Sequence, residues 1–316
     1  MESSKNMNIN EIINHWFISD IVSHIERQND RMVWEISLCG GDKYYLKRVK
    51  YGGADSLLWE KDLFINLKEA GFNANLPYIQ PCKNGNWCYV ESTDITYFMM
   101  HNVIGDQIES GKDIGIFLAE YHNCAKKVIM PKRTPEFSYS ILRSALPIGW
   151  EWIDFIRAIQ NLPYDCAVTA FKLIDICKEL DEYKDNGYLL PVHGDWMACN
   201  LRRSPYGIID FEMADWGDVR YDVAKMTDNA YSDSKGAYDL SFVHAMLDNY
   251  FTNTKLPMSV YKQLDIYLQR AILIGFVYQT SRILSSANDV KQAIHWIERI
   301  EKQYKAYENS LLDIIK

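Results

Sequence analysis

No stretch of the chain is long and apolar enough to cross a bilayer; the longest apolar run, Ala271 to Tyr278, stops far short. The opening residues, MESSKNMNINEIINHW, show no basic segment followed by an apolar stretch, so no leader is expected. Runs of Lys and Arg are missing too. With 34 Lys and Arg against 42 Asp and Glu the net charge is −8, which argues against nucleic acid as a partner. The seven cysteines (Cys39, Cys82, Cys88, Cys124, Cys166, Cys177 and Cys199) form no CxxC pair and are odd in number. They read as buried reduced thiols, not a disulfide frame or a zinc site. Internal repeats and low-complexity tracts are also absent. What is present is a chain of 316 residues, 48% hydrophobic and 13% aromatic, long enough for one large domain or two lobes. That composition excludes disorder, and the expectation is a soluble cytoplasmic protein with no membrane partner.

Local pattern divides the chain. From Val22 to Val49 it reads as three short strands, VSHIERQ, MVWEISL and YYLKRV, separated by Asn29-Asp30 and Gly40-Gly41-Asp42-Lys43. Asn, Asp and Gly tolerate the positive φ that hairpin turns need. SLLWEKDLFINLKEAG then predicts a helix, with Asp55 or Ser56 as its cap and Gly71 as its stop. Strands return at WCYVES and TYFMMHNVI. Beyond Gly105 the period is mostly helical, over 114–127, 150–161, 167–183, 237–250, 260–284 and 289–315. The exception is LLPVHGDWMACNLRRSPYGIIDFEMADWGDVRYDVAKM. There two short apolar segments, LLPV and GIID, flank a polar loop holding His193, Asp195 and Asn200. A sheet-rich first half precedes a large helical one, which makes the chain α+β.

Asp195 and Asn200 sit five apart in that loop, and Asp210 follows the buried-looking pair Ile208-Ile209. A fold that joins the two carboxylates and the amide makes a set of hard oxygen ligands suited to magnesium. Alternatively, Asp195 and Asn200 only stabilise turns through their own backbone. In the helix after Ser56, Leu57, Glu60, Phe64 and Leu67 share one face, so Glu60 interrupts an apolar stripe. A carboxylate there is costly unless paired, and Lys47 on the preceding strand is the expected partner. The alternative is a solvated Glu60 at the edge of the stripe, and Arg48 and Lys50 are the cations of a shifted register.

His193-Gly194-Asp195-Trp196-Met197-Ala198-Cys199-Asn200, then Ile209-Asp210-Phe211-Glu212, then Asp218-Val219-Arg220-Tyr221-Asp222 resembles the catalytic segment of the aminoglycoside phosphotransferase and choline kinase group. It also parallels the catalytic loop and metal aspartate of protein kinases. The resemblance implies a two-lobed protein-kinase-like fold over nearly the whole chain. Residues 1–100 would be a small β-rich nucleotide-binding lobe, 101–106 a hinge, and 107–316 a mainly helical lobe with the catalytic loop and acceptor site. ATP (or GTP) and Mg2+ are the implied cofactors. Asp195 would accept the proton of the acceptor hydroxyl, and Asn200 and Asp210 would hold magnesium. Lys47 with Glu60 would hold the α- and β-phosphates, and Met100, His101 and Val103 would meet the adenine edge. His193 and Asp222 would support the loop, although Asp222 also suits the cap of a helix beginning Val223-Ala224. His122, in LAEYHNC, reads as structural.

Three features depart from the family pattern. No GxGxxG precedes Met32, so the phosphate-covering turn falls near Gln28 to Arg31. Tyr45, two before Lys47, is bulkier than the small residue protein kinases place over adenine. The segment from Asn200 to Asp210 is short, implying a tight hairpin around Ser204-Pro205-Tyr206-Gly207.

Beyond Asp210, the acids Glu212, Asp215 and Asp218 gather with only Arg220 of opposite sign, which favours a cationic alcohol. Trp196, Trp216 and Tyr231 are the nearby aromatics for an ammonium group, with core packing as their plainer role. The sequence reading is a small-molecule kinase acting on a hydroxyl of an aminoglycoside-like, choline-like or sugar acceptor. Glu212, Asp215 and Trp216 would lie on its acceptor side. The alternative is a catalytically silent kinase-like binding or structural protein, such as a spore-coat-associated one. The intact set of Lys47, Glu60, Asp195, Asn200 and Asp210 argues against it. A protein kinase is disfavoured because no APE-type segment lies between Asp210 and Asp222.

Overall fold

The structure, a computed structural model, describes residues 9–28, 33–49, 53–92, 95–133, 146–147, 149–183, 187–286 and 289–315. The chain forms two compact units, Met1–Gln107 with Val128–Pro135 and Asn200–Glu212, and Ile108–Lys127 with Glu136–Cys199 and Met213–Lys316.

In the first unit, the three predicted strands form an antiparallel sheet of β1 (Ile21–Gln28), β2 (Val33–Leu38) and β3 (Lys43–Arg48). β6 (Ile95–His101) pairs with the far edge of β3, and β4 (Ile79–Gln80) and β5 (Tyr89–Ser92) pair with β6. Leu46 lies opposite Trp34 on one side and Met99 on the other. Together with Ile36 and Tyr97 these bury one face of the sheet against Trp16 and α1 (Ile9–Ile13). Each fully buried apolar side chain there contributes about 1.5–3 kcal/mol. Side chains alternate along a strand, so Lys47 and Tyr45 take the opposite face, beside their cross-strand neighbours Phe98 and Met100. Arg48 follows the Leu46 face. Lys50 and the turn expected near Gln28 to Arg31 lie outside the described residues, apart from the backbone of Gln28 at the end of β1.

α2 (Gly53–Glu69) begins earlier than its sequence suggests, so Asp55 and Ser56 fall within its first turn and do not cap it. It ends as expected before Gly71, where the Phe72 N–H returns to the Leu67 carbonyl at 2.9 Å. After β7 (Asp106–Gln107), the later part of the same unit holds β9 (Leu201–Arg203) and β10 (Gly207–Ile208), the tight hairpin expected around Ser204 to Gly207. β9 also pairs with β7.

The second unit holds α3 (Gly111–Ala125), α4 (Trp152–Gln160), α5 (Tyr164–Glu182), β8 (Leu189–Val192) and β11 (Asp215–Asp218). It continues through α6 (Val219–Asp228), the hairpin of β12 (Tyr231–Ser232) and β13 (Ala237–Tyr238), α7 (Leu240–Asn253), α8 (Leu264–Ser286), α9 (Val290–Ala306) and α10 (Leu312–Ile315). Ser110 caps α3 by accepting from the Asp113 N–H. α3 and α7 approach backbone to backbone, since a methyl at Gly115 would strike the Met246 carbonyl. β8 and β11 pair antiparallel, with Val192 opposite Asp215. No helix among the described residues is long and apolar enough to cross a membrane.

Candidate active site

Lys47, at the end of β3, reaches the segment that follows β10. Its Nζ is 3.3 Å from Asp210 Oδ1 and 4.0 Å from Glu212 Oε1. Burial disfavours the Lys47 ammonium, but Asp210 and Glu212, with Glu60 behind them, outweigh it and raise its pKa. Asp210 is held at φ 68, a left-handed conformation uncommon for a residue with a side chain. The next residue, Phe211, is buried edge-on against Phe64 of α2, with ring centroids 4.8 Å apart. The hairpin sets Asn200 beside this segment, because the Ile209 N–H donates to the Asn200 carbonyl at 3.0 Å.

Glu60 is buried within α2, so the solvated alternative does not hold. Its ion pair, however, differs from the expected one. Glu60 Oε1 receives Arg133 Nη2 at 2.8 Å, while Lys47 is committed to Asp210 and Glu212. Lys47 still contributes at longer range. Burial pushes the Glu60 carboxyl up to about 8, with Arg133 and Lys47 pulling it down and Glu212 and Asp210 adding to the rise. Arg133 carried no sequence signal, since it follows Lys132 in a loop after α3 that shows no periodic pattern.

β6 leads into the segment expected to meet a base. Met100 sits between Tyr45 and Ile79 in the sheet. The His101 N–H donates to the Tyr78 carbonyl at 2.9 Å, and its ring Nε2 is 3.1 Å from Gln80 Oε1. Burial lowers the His101 pKa, with Asp42 opposing. The Asn102 N–H is taken by the Lys43 carbonyl at 3.1 Å. The Val103 side chain is buried against Gly207, and among the described residues no hydrogen bond engages its amide.

In the second unit the HGD loop is built from its backbone outward. Asp222, fully buried in the first turn of α6, accepts the His193 N–H at 2.9 Å and the Gly194 N–H at 2.8 Å. It is therefore a loop anchor and not the helix cap. That cap is Asp218, which accepts the Arg220 N–H at 2.9 Å. Behind Asp222 stands His122, its Nε2 3.3 Å from Asp222 Oδ2 and its Nδ1 2.7 Å from the Tyr250 hydroxyl of α7. His193 Nδ1 accepts the Asp195 N–H at 3.2 Å, which sets the direction of the loop at Asp195. Gly194 has φ 77, and a methyl on it would collide with the Met213 carbonyl. Only glycine fits there. Burial and the carboxylates of Asp195, Asp222 and Asp228 push the Tyr221 hydroxyl far above its ordinary pKa.

The expected acceptor-side residues have different environments. Glu212 is half-buried, with its carboxylate toward Lys47 and its backbone carbonyl accepting Arg133 Nη1 at 2.9 Å. Asp215 is only 2% exposed and accepts the Trp216 N–H at 2.7 Å. Trp216 is half-buried on β11. Asp218 is neutralised by Arg220, with Nη2 2.7 Å from Oδ2. Two aromatics suggested for an ammonium group have other work. Trp196 is fully buried among Phe117, Tyr121 and His193, and the face of Tyr231 already lies under the Arg299 guanidinium, 5.6 Å from the ring centroid. Among the described residues no three His, Cys, Asp or Glu side chains form a ready-made metal group.

A model of the phosphotransferase enzyme family matches residues 22–256. No curated protein matches the chain. Among solved structures, the fold is similar to a microcompartment-associated aminopropanol kinase, with 15% identity and a TM-score of 0.66 over 96% of this chain and 97% of that one. It is also similar to an amicoumacin kinase in complex with AMP-PNP, Ca2+ and Ami, with 14% identity and a TM-score of 0.65 over 95% and 94%. A third is an aminoglycoside phosphotransferase from Alicyclobacillus acidocaldarius, with 13% identity and a TM-score of 0.63 over 99% and 98%. The fold is thus kinase-like and α+β, with a sheet in its N-terminal region and helices in its C-terminal region.

Proposed function

The chain belongs to the phosphotransferase enzyme family, and from that premise we propose that it moves the γ-phosphate of ATP or GTP onto a hydroxyl of a small, cationic acceptor. The observation that carries this reading is the Lys47–Asp210 pair at 3.3 Å, a cation and a carboxylate side by side, the kinds of group that phosphate and metal require. The AMP-PNP and Ca2+ bound to the amicoumacin kinase support a nucleotide with a divalent cation.

Asp210 and Asn200, with Glu212 nearby, offer the hard oxygens that suit magnesium. Magnesium commonly takes one or two carboxylates and fills its shell with phosphate oxygens and water, so a site without three converging acids is compatible with it. Bound there, it would neutralise phosphate charge as a Lewis acid. Lys47 exchanges part of its contact with Asp210 for phosphate oxygens. The Val103 amide and the carbonyls beside it, with Met100 and His101, hold the base edge. Asp195 accepts the proton of the acceptor hydroxyl and aims its oxygen, while Asp222 and His193 keep the loop in place. Glu212 and Trp216 offer charge and an aromatic face to a cationic alcohol, and Asp215 adds its charge from beneath the surface. The protein acts in the cytoplasm, where such nucleotides are available.

A thermal-shift titration with Mg-ATP and Mg-GTP on the wild type and on Asp210→Ala tests the reading. At a hundred times its dissociation constant a nucleotide adds about 2.7 kcal/mol to stability. Stabilisation that requires magnesium and disappears in Asp210→Ala is the expected result. No shift with either nucleotide overturns the nucleotide site and favours the catalytically silent alternative. Asp195→Asn is expected to keep the shift and lose turnover by roughly 10²–10⁴-fold.

A further inference from the structure

Helix α2 carries Ser56, Trp59 and Glu60 at i, i+3 and i+4, so the three share one face. All three are buried, and all three grip one short segment, Pro131 to Arg133. The Trp59 indole donates to the Pro131 carbonyl at 2.8 Å. Arg133, itself 4% exposed, gives Nε to the Ser56 hydroxyl at 2.8 Å and Nη2 to the Glu60 carboxylate at 2.8 Å. Nη2 also meets the Ser56 hydroxyl. Its plane lies near the Trp59 ring, 5.7 Å from the centroid. The remaining arm, Nη1, donates to the Glu212 carbonyl at 2.9 Å, two residues after Asp210.

A guanidinium is a rigid planar fork, and this one spends these arms on α2 and on the segment that carries Asp210, the partner of Lys47. We propose that Arg133 is a positioning residue of the kinase reaction. It locks α2 to the Asp210–Glu212 segment and holds the Glu60 carboxyl group as its own hydrogen-bond partner, so that Lys47 is left to serve Asp210 and the phosphates of the nucleotide. A lysine could reach Glu60 but could not also hold Ser56 and the Glu212 carbonyl in fixed directions. This inference rests on the nucleotide reading above, since it assigns Arg133 a part in building that site.

The test measures Mg·AMP-PNP binding by calorimetry on wild type, Arg133→Met, Arg133→Lys, Glu60→Gln and the double variant Arg133→Met/Glu60→Gln, each shown to be folded by circular dichroism. Arg133→Met is expected to weaken binding by about tenfold or more. The double variant should lose no more than Arg133→Met alone, because the two side chains act as one unit. Arg133→Lys should keep the fold and still lose at least about threefold, and it carries the test if Arg133→Met does not fold. Unchanged affinity in folded Arg133→Met or Arg133→Lys, or fully additive losses in the double variant, overturns the proposal while leaving the nucleotide reading intact. Wild-type protein that binds no Mg·AMP-PNP overturns both.

Discussion

Lys47 Nζ stands 3.3 Å from Asp210 Oδ1, a contact between residues 163 apart in the chain. The pair links the end of β3 to the segment after β10 within one compact unit. Without Lys47, Asp210 would be left mostly buried beside the like charge of Glu212 and the carboxyl group of Glu60. Lys47→Ala removes the only cation that an ion pair joins to both Asp210 and Glu212 among the described residues. It is expected to raise KM for the nucleotide by about tenfold or more, that is by at least roughly 1.4 kcal/mol. Steady-state kinetics at saturating acceptor checks this, and an unchanged KM would remove Lys47 from phosphate binding.

Glu60 gives the folded protein a pH signature. Its ordinary pKa of 4.5 is pushed up to about 8 by burial, against the pull of Arg133 and Lys47. Between those two values the unfolded chain has released the proton while the folded chain still holds it. Stability therefore falls as pH rises from 4.5 toward 8, by at most about 1.4 kcal/mol per pH unit from this group. Urea unfolding of wild type and Glu60→Gln at pH 5, 6, 7 and 8 reads the effect. The variant is expected to show a shallower decline, and parallel profiles would mean that Glu60 titrates alike in both states.

Asp222 accepts two backbone N–H groups of the HGD loop and faces His122, all in full burial. Asp222→Asn keeps the shape but turns an amide NH2 toward one of these donors. A cost of roughly 1–3 kcal/mol is expected from the unsatisfied group. The loop that carries Asp195 then loses its register, so kcat should fall more than KM rises. Denaturant unfolding together with kinetics separates the two effects; a loss of stability with kcat intact would restrict Asp222 to the fold.

Gly194 is the narrowest position in the loop. Alanine there must adopt φ 77 and push its methyl into the Met213 carbonyl. Gly194→Ala is expected to lose more than about 1 kcal/mol of stability and most activity. A Gly194→Ala protein with wild-type melting temperature and turnover would contradict this close approach.

Several of these features are legible without coordinates. The alternation in VSHIERQ, MVWEISL and YYLKRV fixes a strand reading because residues two apart share a face, and each strand appears within about a residue of its expected place. LLPV, read as a short apolar segment, is β8, whereas the short α1 and β11 carried too little periodic signal to be read. The helix stripe around Glu60 points to a buried, paired carboxylate, with a solvated one as the alternative, and burial in the structure decides between them. The spacing of His193, Asp195, Asn200, Asp210 and Asp222 is a property of the chain alone.

Which groups meet is a different matter. Sequence offers Lys47 as the partner of Glu60, yet the structure gives that place to Arg133 and turns Lys47 to Asp210. Trp196 looks available for a ligand next to Asp195 and is instead packed under the loop. Asp222 suits both a loop support and a cap by sequence, and the structure makes it the anchor, because the helix starts at Val219 with Asp218 as its cap. Periodicity reports which face of an element is buried, since that depends on near neighbours along the chain. Ion pairs and anchors depend on distances of a few ångströms between segments tens or hundreds of residues apart, where Coulomb attraction and desolvation both change steeply. Only the packed tertiary structure sets those distances.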